Sequence, residues 1–387
     1  MNDSAKHIFV IAGEESGDLL GGRLIQSLKT IDSALRFSGI GGESMKRHGI
    51  QSLFPMEDLS VMGVAEVLPK LPLLLGRIDE TVKHILRTQP DMVITIDAPD
   101  FSFRVMKRLR RKGFKGRLVH YVAPSVWAWR PKRARKIAEF LDRVLCLLPF
   151  EPPYFEKEGL AADFVGHSMT EDALRGDEQH LREMFDISTD QRVVLLLPGS
   201  RGGEIKKHLD LFARTAESLS AMYENLIFVI PTLPNLKEGI EAGASGFGCD
   251  IIVTDNPSAK KNAFAAAELA LAASGTVALE LALANVPSVI AYRMNTITGW
   301  IAKWLVKTDY VSLPNIILQE EVMPEFLLGD AKLENLVNVM DCYLSNPTFT
   351  EMQKQKFQKL MQHITPSGGL KPSEKAAKVV YKELFDV

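Results

Sequence analysis

The chain has no apolar run of the ~18 to 20 residues that a spanning helix needs; Pro, Lys or Gly breaks each stretch first, so any membrane contact is expected to be peripheral. Cysteine is scarce. Cys146, Cys249 and Cys342 are three in number and widely spaced, which argues against a disulfide framework and for reduced, buried thiols in a cytoplasm. Neither charge is in excess: 46 Lys plus Arg face 48 Asp plus Glu, and a net charge of -2 gives nucleic acid no general attraction. The short polar N-terminus runs directly into a strand-like segment at 7–12 without an apolar export region, so no export is expected. D-x-D, H-E-x-x-H and Cys/His clusters of metal spacing are missing, and a site without metal or cofactor is the expectation.

At 387 residues, with 46% hydrophobic and 24% charged residues, the chain suits two ordinary globular domains. Short Val- and Ile-rich runs at 7–12, 92–96, 117–122 and 143–148 read as strands buried on both faces of a parallel sheet. The rhythm restarts at 193–197, 226–230, 251–253, 269–273 and 288–292. The expected fold class is α/β, two doubly wound Rossmann-like domains facing a cleft, with C-terminal helices. The expected domains are residues 1–168, 169–330 and a helical segment, 331–387, packing back on either one; the charged stretch 166–191 is the linker candidate.

After the first strand, Gly13-Glu14-Glu15-Ser16-Gly17-Asp18 opens a helix-like segment, with Ser16 or Asp18 as a cap candidate. The spacing is not that of a dinucleotide fingerprint. In Ile94-Thr95-Ile96-Asp97-Ala98-Pro99-Asp100, Asp97 falls at the carboxyl end of a buried strand, where open α/β sheets bind ligands, and is a candidate general base. A helix cap is the alternative for Asp97, and Asp100 reads as a cap. The run from His120 to Arg130 contains Ser125, Trp127 and Trp129 and leads into Lys132, Arg133, Arg135 and Lys136. Aromatics beside cations suit a sugar platform, an anionic membrane surface or, least well without overall basicity, single-stranded nucleic acid, or are simply a solvated basic helix.

In the second half, Leu197-Pro198-Gly199-Ser200-Arg201-Gly202-Gly203 is a strand entering a glycine-rich turn, where Ser200, backbone N–H groups and the Arg201 fork can face a diphosphate. Ser274, Gly275 and Thr276 open a later helix, and Glu280 lies one turn inside it, placed to accept ribose hydroxyls.

Taken in order, GEESGD, IDAPDF, YVAPSVWAWR, LPFE at 148–151, VGH at 165–167, LLPGSR, ASGTVALE and DYVSLPN at 309–315 resemble the lipid-A-disaccharide synthases over residues 7 to 320. The resemblance implies a GT-B glycosyltransferase with acceptor chemistry on the N-terminal domain and the UDP-sugar on the C-terminal one. It implies UDP-2,3-diacylglucosamine as donor, 2,3-diacylglucosamine 1-phosphate as acceptor, and a β-1,6-linked disaccharide 1-phosphate plus UDP as products. By matching position, Asp97 would activate the acceptor hydroxyl, Arg201 would contact the diphosphate, Glu280 the ribose, and Asn315 would be an active-site polar group. Glu14, Ser16, Ser125 and Trp127 would complete the substrate contacts. Glu15 stands where a small residue is usual and Ala123 where Ser is common, which puts local contacts in doubt. A homodimer is suggested by the family and not fixed by the sequence.

The segment 61–75, beginning at Val61 and ending at Leu75, is apolar for a non-strand region and flanked by Lys70 and Arg77. It reads as a lip touching the membrane surface, or as a core helix, and its two prolines argue against one regular helix. Trp300, Trp304 and Leu305 mark a second amphipathic stretch that could touch lipid or another subunit. The expected place is the cytoplasmic side, peripheral on the inner face of the inner membrane. The rival readings are a water-soluble UDP-sugar transferase or epimerase, and a UDP-sugar sensor that binds without turnover.

Overall fold

The computed structural model describes residues 5–59, 64–128, 132–172, 176–273, 275–293 and 309–386, with the backbone alone for 64–70. The chain divides into two compact units, one of residues 1–171 with 364–387 and the other of residues 172–363.

The first unit runs β1 (His7–Ala12), α1 (Glu15–Ile31), β2 (Arg36–Ile40), α2 (Glu43–Lys46), α3 (Val64–Thr88), β3 (Met92–Ile96), α4 (Pro99–Arg111), β4 (Arg117–Tyr121), α5 (Lys132–Ala138), β5 (Arg143–Cys146), α6 (Pro152–Glu156) and β6 (Ala161–Phe164). The second runs α7 (Glu178–Phe185), β7 (Arg192–Leu197), α8 (Gly202–Ser220), β8 (Leu226–Pro231), α9 (Pro234–Ala244), β9 (Ile251–Thr254), α10 (Pro257–Ala266), β10 (Ala267–Ala272), α11 (Thr276–Leu283), β11 (Ser288–Tyr292), α12 (Leu313–Leu318), β12 (Glu325–Leu327), α13 (Leu333–Ser345) and α14 (Pro347–Ile364). A last helix, α15 (Pro372–Phe385), belongs to the first unit again.

Each unit has a six-stranded sheet, ordered β2-β1-β3-β4-β5-β6 in the first and β12-β11-β10-β7-β8-β9 in the second, and every pairing is parallel. Helices cover both faces, which is why the central strands are continuous apolar runs. Along β1 the side chains alternate: Ile8 and Val10 pack with Leu24 of α1 and Val380 of α15, whereas Phe9 and Ile11 pack with Val82 of α3 and Val105 of α4. Fully burying one such side chain contributes roughly 1.5–3 kcal/mol, so these two layers fix where the strand ends fall. The strand order reverses between β1 and β3, and again between β7 and β10, and ligands of open α/β sheets sit at the carboxyl ends there.

Several expectations need correction. The C-terminal segment 331–387 divides: Leu336 and Met340 of α13 pack on the second sheet, whereas α15 packs on α1. Its return is tied by Ser373, whose backbone N–H and hydroxyl donate to Glu171 at 2.6 and 2.9 Å. The proposed linker contains α7, which is part of the second unit. Residues 64–88 form one helix in spite of Pro69 and Pro72, because both prolines lie towards its N-terminal end while Ile78, Val82 and Ile85 anchor the remainder in the core. Cys146 is buried, but Cys342 is exposed.

Candidate active site

In the first unit, Ala12 of β1 pairs with Ile96 of β3, so Glu14 and Asp97 leave the sheet side by side at its switch point. The turns approach so closely that a Cβ on Gly13 would lie 2.7 Å from the Ala98 Cβ, which excludes any larger residue there. Asp97 and Ala98 both take left-handed backbone, with φ of 51° and 43°. Such positions cost about 1–3 kcal/mol each and persist only where the surroundings enforce them. Here the Asp97 N–H donates to the Tyr121 carbonyl at 3.0 Å, the Ser102 hydroxyl donates to the Asp97 carbonyl at 2.9 Å, and Asp97 Oδ1 accepts the Ala98 N–H at 2.9 Å. Asp97 is thus positioned by its backbone, and Oδ2 carries none of these bonds.

Glu14 is half-buried at the N-cap of α1, where it makes no side-chain cap. Burial, and after it the Asp97 charge, pushes its carboxyl above the usual range. Ser16 is exposed and not the cap. Asp18 caps a different helix: Oδ1 accepts the Gly42 N–H at 2.7 Å and Oδ2 the Ser44 N–H at 2.7 Å, at the start of α2. Nor is Asp100 a cap, since α4 begins at Pro99 with Ala98 in the cap position.

A cavity of about 320 Å³ opens beside this turn, lined by Glu14, Ala98, Arg104 and the α3 side chains Leu71, Leu75 and Ile78. It joins a carboxylate and a cation to an apolar wall. Leu71, Leu73 and Leu75 are 39%, 42% and 38% exposed. Val61 lies outside the described residues, as do Ser274, Trp129, Arg130, Trp300, Trp304 and Leu305.

Ser125 is exposed and Trp127 half-buried on the loop after β4. The Trp127 indole N–H donates to Glu151 Oε1 at 3.1 Å, and its ring meets Phe150 edge-on at 5.2 Å. Glu151 is 3% exposed, also accepts the Leu148 N–H at 3.0 Å, and is pushed up to about 7 by burial. Sequence reasoning passed over Glu151 as a site residue, although it ends the LPFE motif. His120 is fully buried, bonds to Thr95 Oγ1 at 2.7 Å, and is held down to about 3 by desolvation. Burial likewise lowers His167 to about 4, and its Nδ1 accepts the Met169 N–H at 3.3 Å. Neither histidine is bonded to Asp97 among the described contacts.

In the second unit, the turn after β7 passes through Gly199 at φ 126°, and the Ser200 N–H donates to Glu204 Oε2 at 3.2 Å. Arg201 is exposed at the N-cap of the 19-residue helix α8, and Gly202 and Gly203 form the first turn, where N–H groups lack helix partners. Under it His208 is fixed, bonding to the Glu204 carbonyl through Nδ1 at 2.8 Å and accepting the Arg293 N–H through Nε2 at 2.9 Å. Across the switch point, Gly275 and Thr276 open α11, both exposed, and Glu280 lies one turn in with its side chain 19% exposed. Lys260 Nζ of α10 stands 2.6 Å from Glu280 Oε2.

Asn315 is the clearest departure from the sequence reading. It is fully buried and spends its whole amide internally: Nδ2 donates to the Met323 carbonyl at 2.8 Å and to Glu325 Oε1 at 2.9 Å, while Oδ1 accepts the N–H groups of Val322 and Met323, both at 2.8 Å. An amide has two donors and two acceptor lone pairs, so all four are used and none faces a ligand. Glu325 also accepts the Val311 and Ser312 N–H groups at 2.9 and 2.8 Å, pinning the loop ahead of α12.

Residues 8–379 match the family described as lipid-A-disaccharide synthetase. The chain belongs to the lipid-A-disaccharide synthase family. The member from Rhodospirillum centenum is 46% identical over 375 residues, covering 96% of this chain and 93% of its own. Lipid-A-disaccharide synthases are glycosyltransferases of lipid A biosynthesis. Among solved structures, a UDP-N-acetylglucosamine 2-epimerase from Listeria monocytogenes superposes with a TM-score of 0.66 at 14% identity, covering 99% of this chain and 98% of that one. The Neisseria meningitidis UDP-GlcNAc 2-epimerase, solved bound to UDP-GlcNAc, gives 0.63 at 12% identity, with coverage of 98% and 100%. The synthase fold is accordingly GT-B, two Rossmann-like units. No helix among its described residues is long and apolar enough to cross a membrane.

Proposed function

We propose that the enzyme transfers 2,3-diacylglucosamine from UDP to the 6-hydroxyl of 2,3-diacylglucosamine 1-phosphate (lipid X), with inversion, forming the β-1,6 lipid A disaccharide 1-phosphate and UDP. The observation that carries this reading is the cavity beside the Asp97–Ala98 turn, which is lined by the Glu14 carboxylate, the Arg104 cation and the exposed Leu71 and Leu75 of α3. Sugar, phosphate and acyl chain each have a matching surface there. The same leucines suit the boundary of an anionic bilayer, on the inner face of the inner membrane, where an acylated acceptor resides.

Asp97 accepts the 6-hydroxyl proton as the acceptor oxygen bonds to the donor anomeric carbon and the bond to UDP breaks on the opposite face. Glu14, whose carboxyl is pushed above the usual range by burial and by the Asp97 charge, stands beside the base within the same turn and is a second polar contact for the acceptor. Negative charge grows on the departing diphosphate, and Arg201 with the N-terminal N–H groups of α8 and α11 offsets it. Glu280 receives the ribose. A fold neighbour solved bound to UDP-GlcNAc is in keeping with a UDP-sugar as donor. Asn315 acts through the loop it knots together. The proposed chemistry needs neither metal nor cofactor.

The test is incubation with UDP-2,3-diacylglucosamine and 2,3-diacylglucosamine 1-phosphate in detergent with excess chelator, following UDP and product by mass. Equal amounts of UDP and disaccharide, both dependent on acceptor, are expected. UDP binding without disaccharide from any acylated acceptor would replace this reading with that of a sensor.

A further inference from the structure

We infer that Lys260 is a positioning residue for the nucleotide half of the reaction: it holds the Glu280 carboxylate in place as the acceptor of ribose hydroxyls and so lets the site tell ribose from deoxyribose. The inference rests on the reading of Glu280 as the ribose contact.

Glu280 and Lys260 come from helices on either side of β10, so the strand that brings α11 to the switch point also sets the distance to α10. Lys260 Nζ is 2.6 Å from Glu280 Oε2, and the lysine also lies over the Phe264 ring, 5.6 Å from its centre and one turn along α10. Phe264 is 2% exposed and fixed in the core, so the lysine stem rests on a rigid platform.

The contact balances charge and leaves the carboxylate with acceptor sites beyond the one the ammonium faces. Glu280 Oε2 is buried and accepts no aligned hydrogen bond, in spite of the nearby ammonium. A buried carboxylate oxygen in a purely structural role is normally hydrogen-bonded. Here the side chain is held by a cation on one side, keeps 19% of its surface open, and has acceptor sites to spare. Two converging O–H donors on adjacent carbons would satisfy it, and the vicinal hydroxyls of a ribose have that arrangement. Lysine only donates, so it cannot compete with the carboxylate for those protons.

The experiment is calorimetric titration of UDP and of 2′,3′-dideoxy-UDP into wild type, Lys260→Met, Lys260→Arg and Glu280→Gln. Lys260→Met should weaken UDP by about ten- to hundredfold, the size of hydrogen bonds to a charged group, and leave dideoxy-UDP within about twofold. Lys260→Arg should restore most of the UDP affinity. Loss of both ligands alike, or of neither, in Lys260→Met overturns the inference, because a structural or general charge effect does not separate them. If Glu280→Gln collapses the preference for UDP while Lys260→Met keeps it, only the role of Lys260 fails. If Glu280→Gln also keeps it, the ribose reading of Glu280 fails.

Discussion

Glu14 and Asp97 leave adjacent parallel strands beyond the paired residues Ala12 and Ile96, and the Asp97 charge adds to burial in holding the Glu14 carboxyl above the usual carboxylate range. The coupling between the two carboxyls is open to direct measurement. In Asp97→Asn the Glu14 pKa should fall towards the ordinary value and remain above it, since burial is the larger cause. Carbon-13 titration of glutamate carboxyls reads this, and an unchanged Glu14 curve would separate the two groups.

Glu151 makes the stability of the first unit depend on pH. Its folded pKa of about 7 lies above the ordinary glutamate value, so folding binds its proton more tightly, and this contribution is present at acid pH and lost as pH rises through neutrality. The wild type should lose up to about 3 kcal/mol from this group between about pH 4.5 and 7, and Glu151→Gln should not. Urea denaturation of both at about pH 5 and 8 checks it; parallel pH dependence would count against burial outweighing the two hydrogen bonds to Glu151.

Asn315→Ala should destabilise the second unit by about 3–5 kcal/mol, because the buried N–H groups of Val322 and Met323 lose their acceptor and Glu325 loses a donor. Chemical denaturation measures it. A loss under about 1 kcal/mol would mean that the knot relaxes and that Asn315 is free to serve another purpose.

Leu71→Ser with Leu75→Ser should weaken binding to anionic vesicles by about tenfold or more, from lost apolar burial, and leave UDP affinity unchanged. Sedimentation with vesicles at low salt decides this. Unaltered binding would move the membrane contact away from α3.

Most strands legible in the sequence are interior ones buried on both faces; β9 is an edge strand that was legible because Ile251-Ile252-Val253 is apolar throughout. β1, β3, β7 and β11 are continuous apolar runs in the chain and interior strands in the sheets. β2, β6 and β12 escaped notice for one physical reason: all three are edge strands, half-open to solvent, and a sequence such as Ala161-Ala162-Asp163-Phe164 has no reason to be uniformly apolar. The site divides similarly. Glu14 and Asp97 in the first unit, and Arg201 and Glu280 in the second, follow from their places at or just beyond strand ends, because within each sheet the topology puts the switch-point ends side by side. Lys260 and Glu151 act through contacts between segments far apart in sequence, and Asn315 was legible as a motif while its inward-turned amide was not.

The most direct test of the account is the acceptor-dependent turnover of Asp97→Asn. Asparagine tolerates the left-handed backbone at this position, so the variant should keep the wild-type melting temperature and UDP affinity. Turnover should fall by ~10²- to 10⁴-fold, as expected for loss of a general base. Retention of more than about a tenth of the wild-type rate, against that range, would contradict the assignment of Asp97 as the group that takes the acceptor proton.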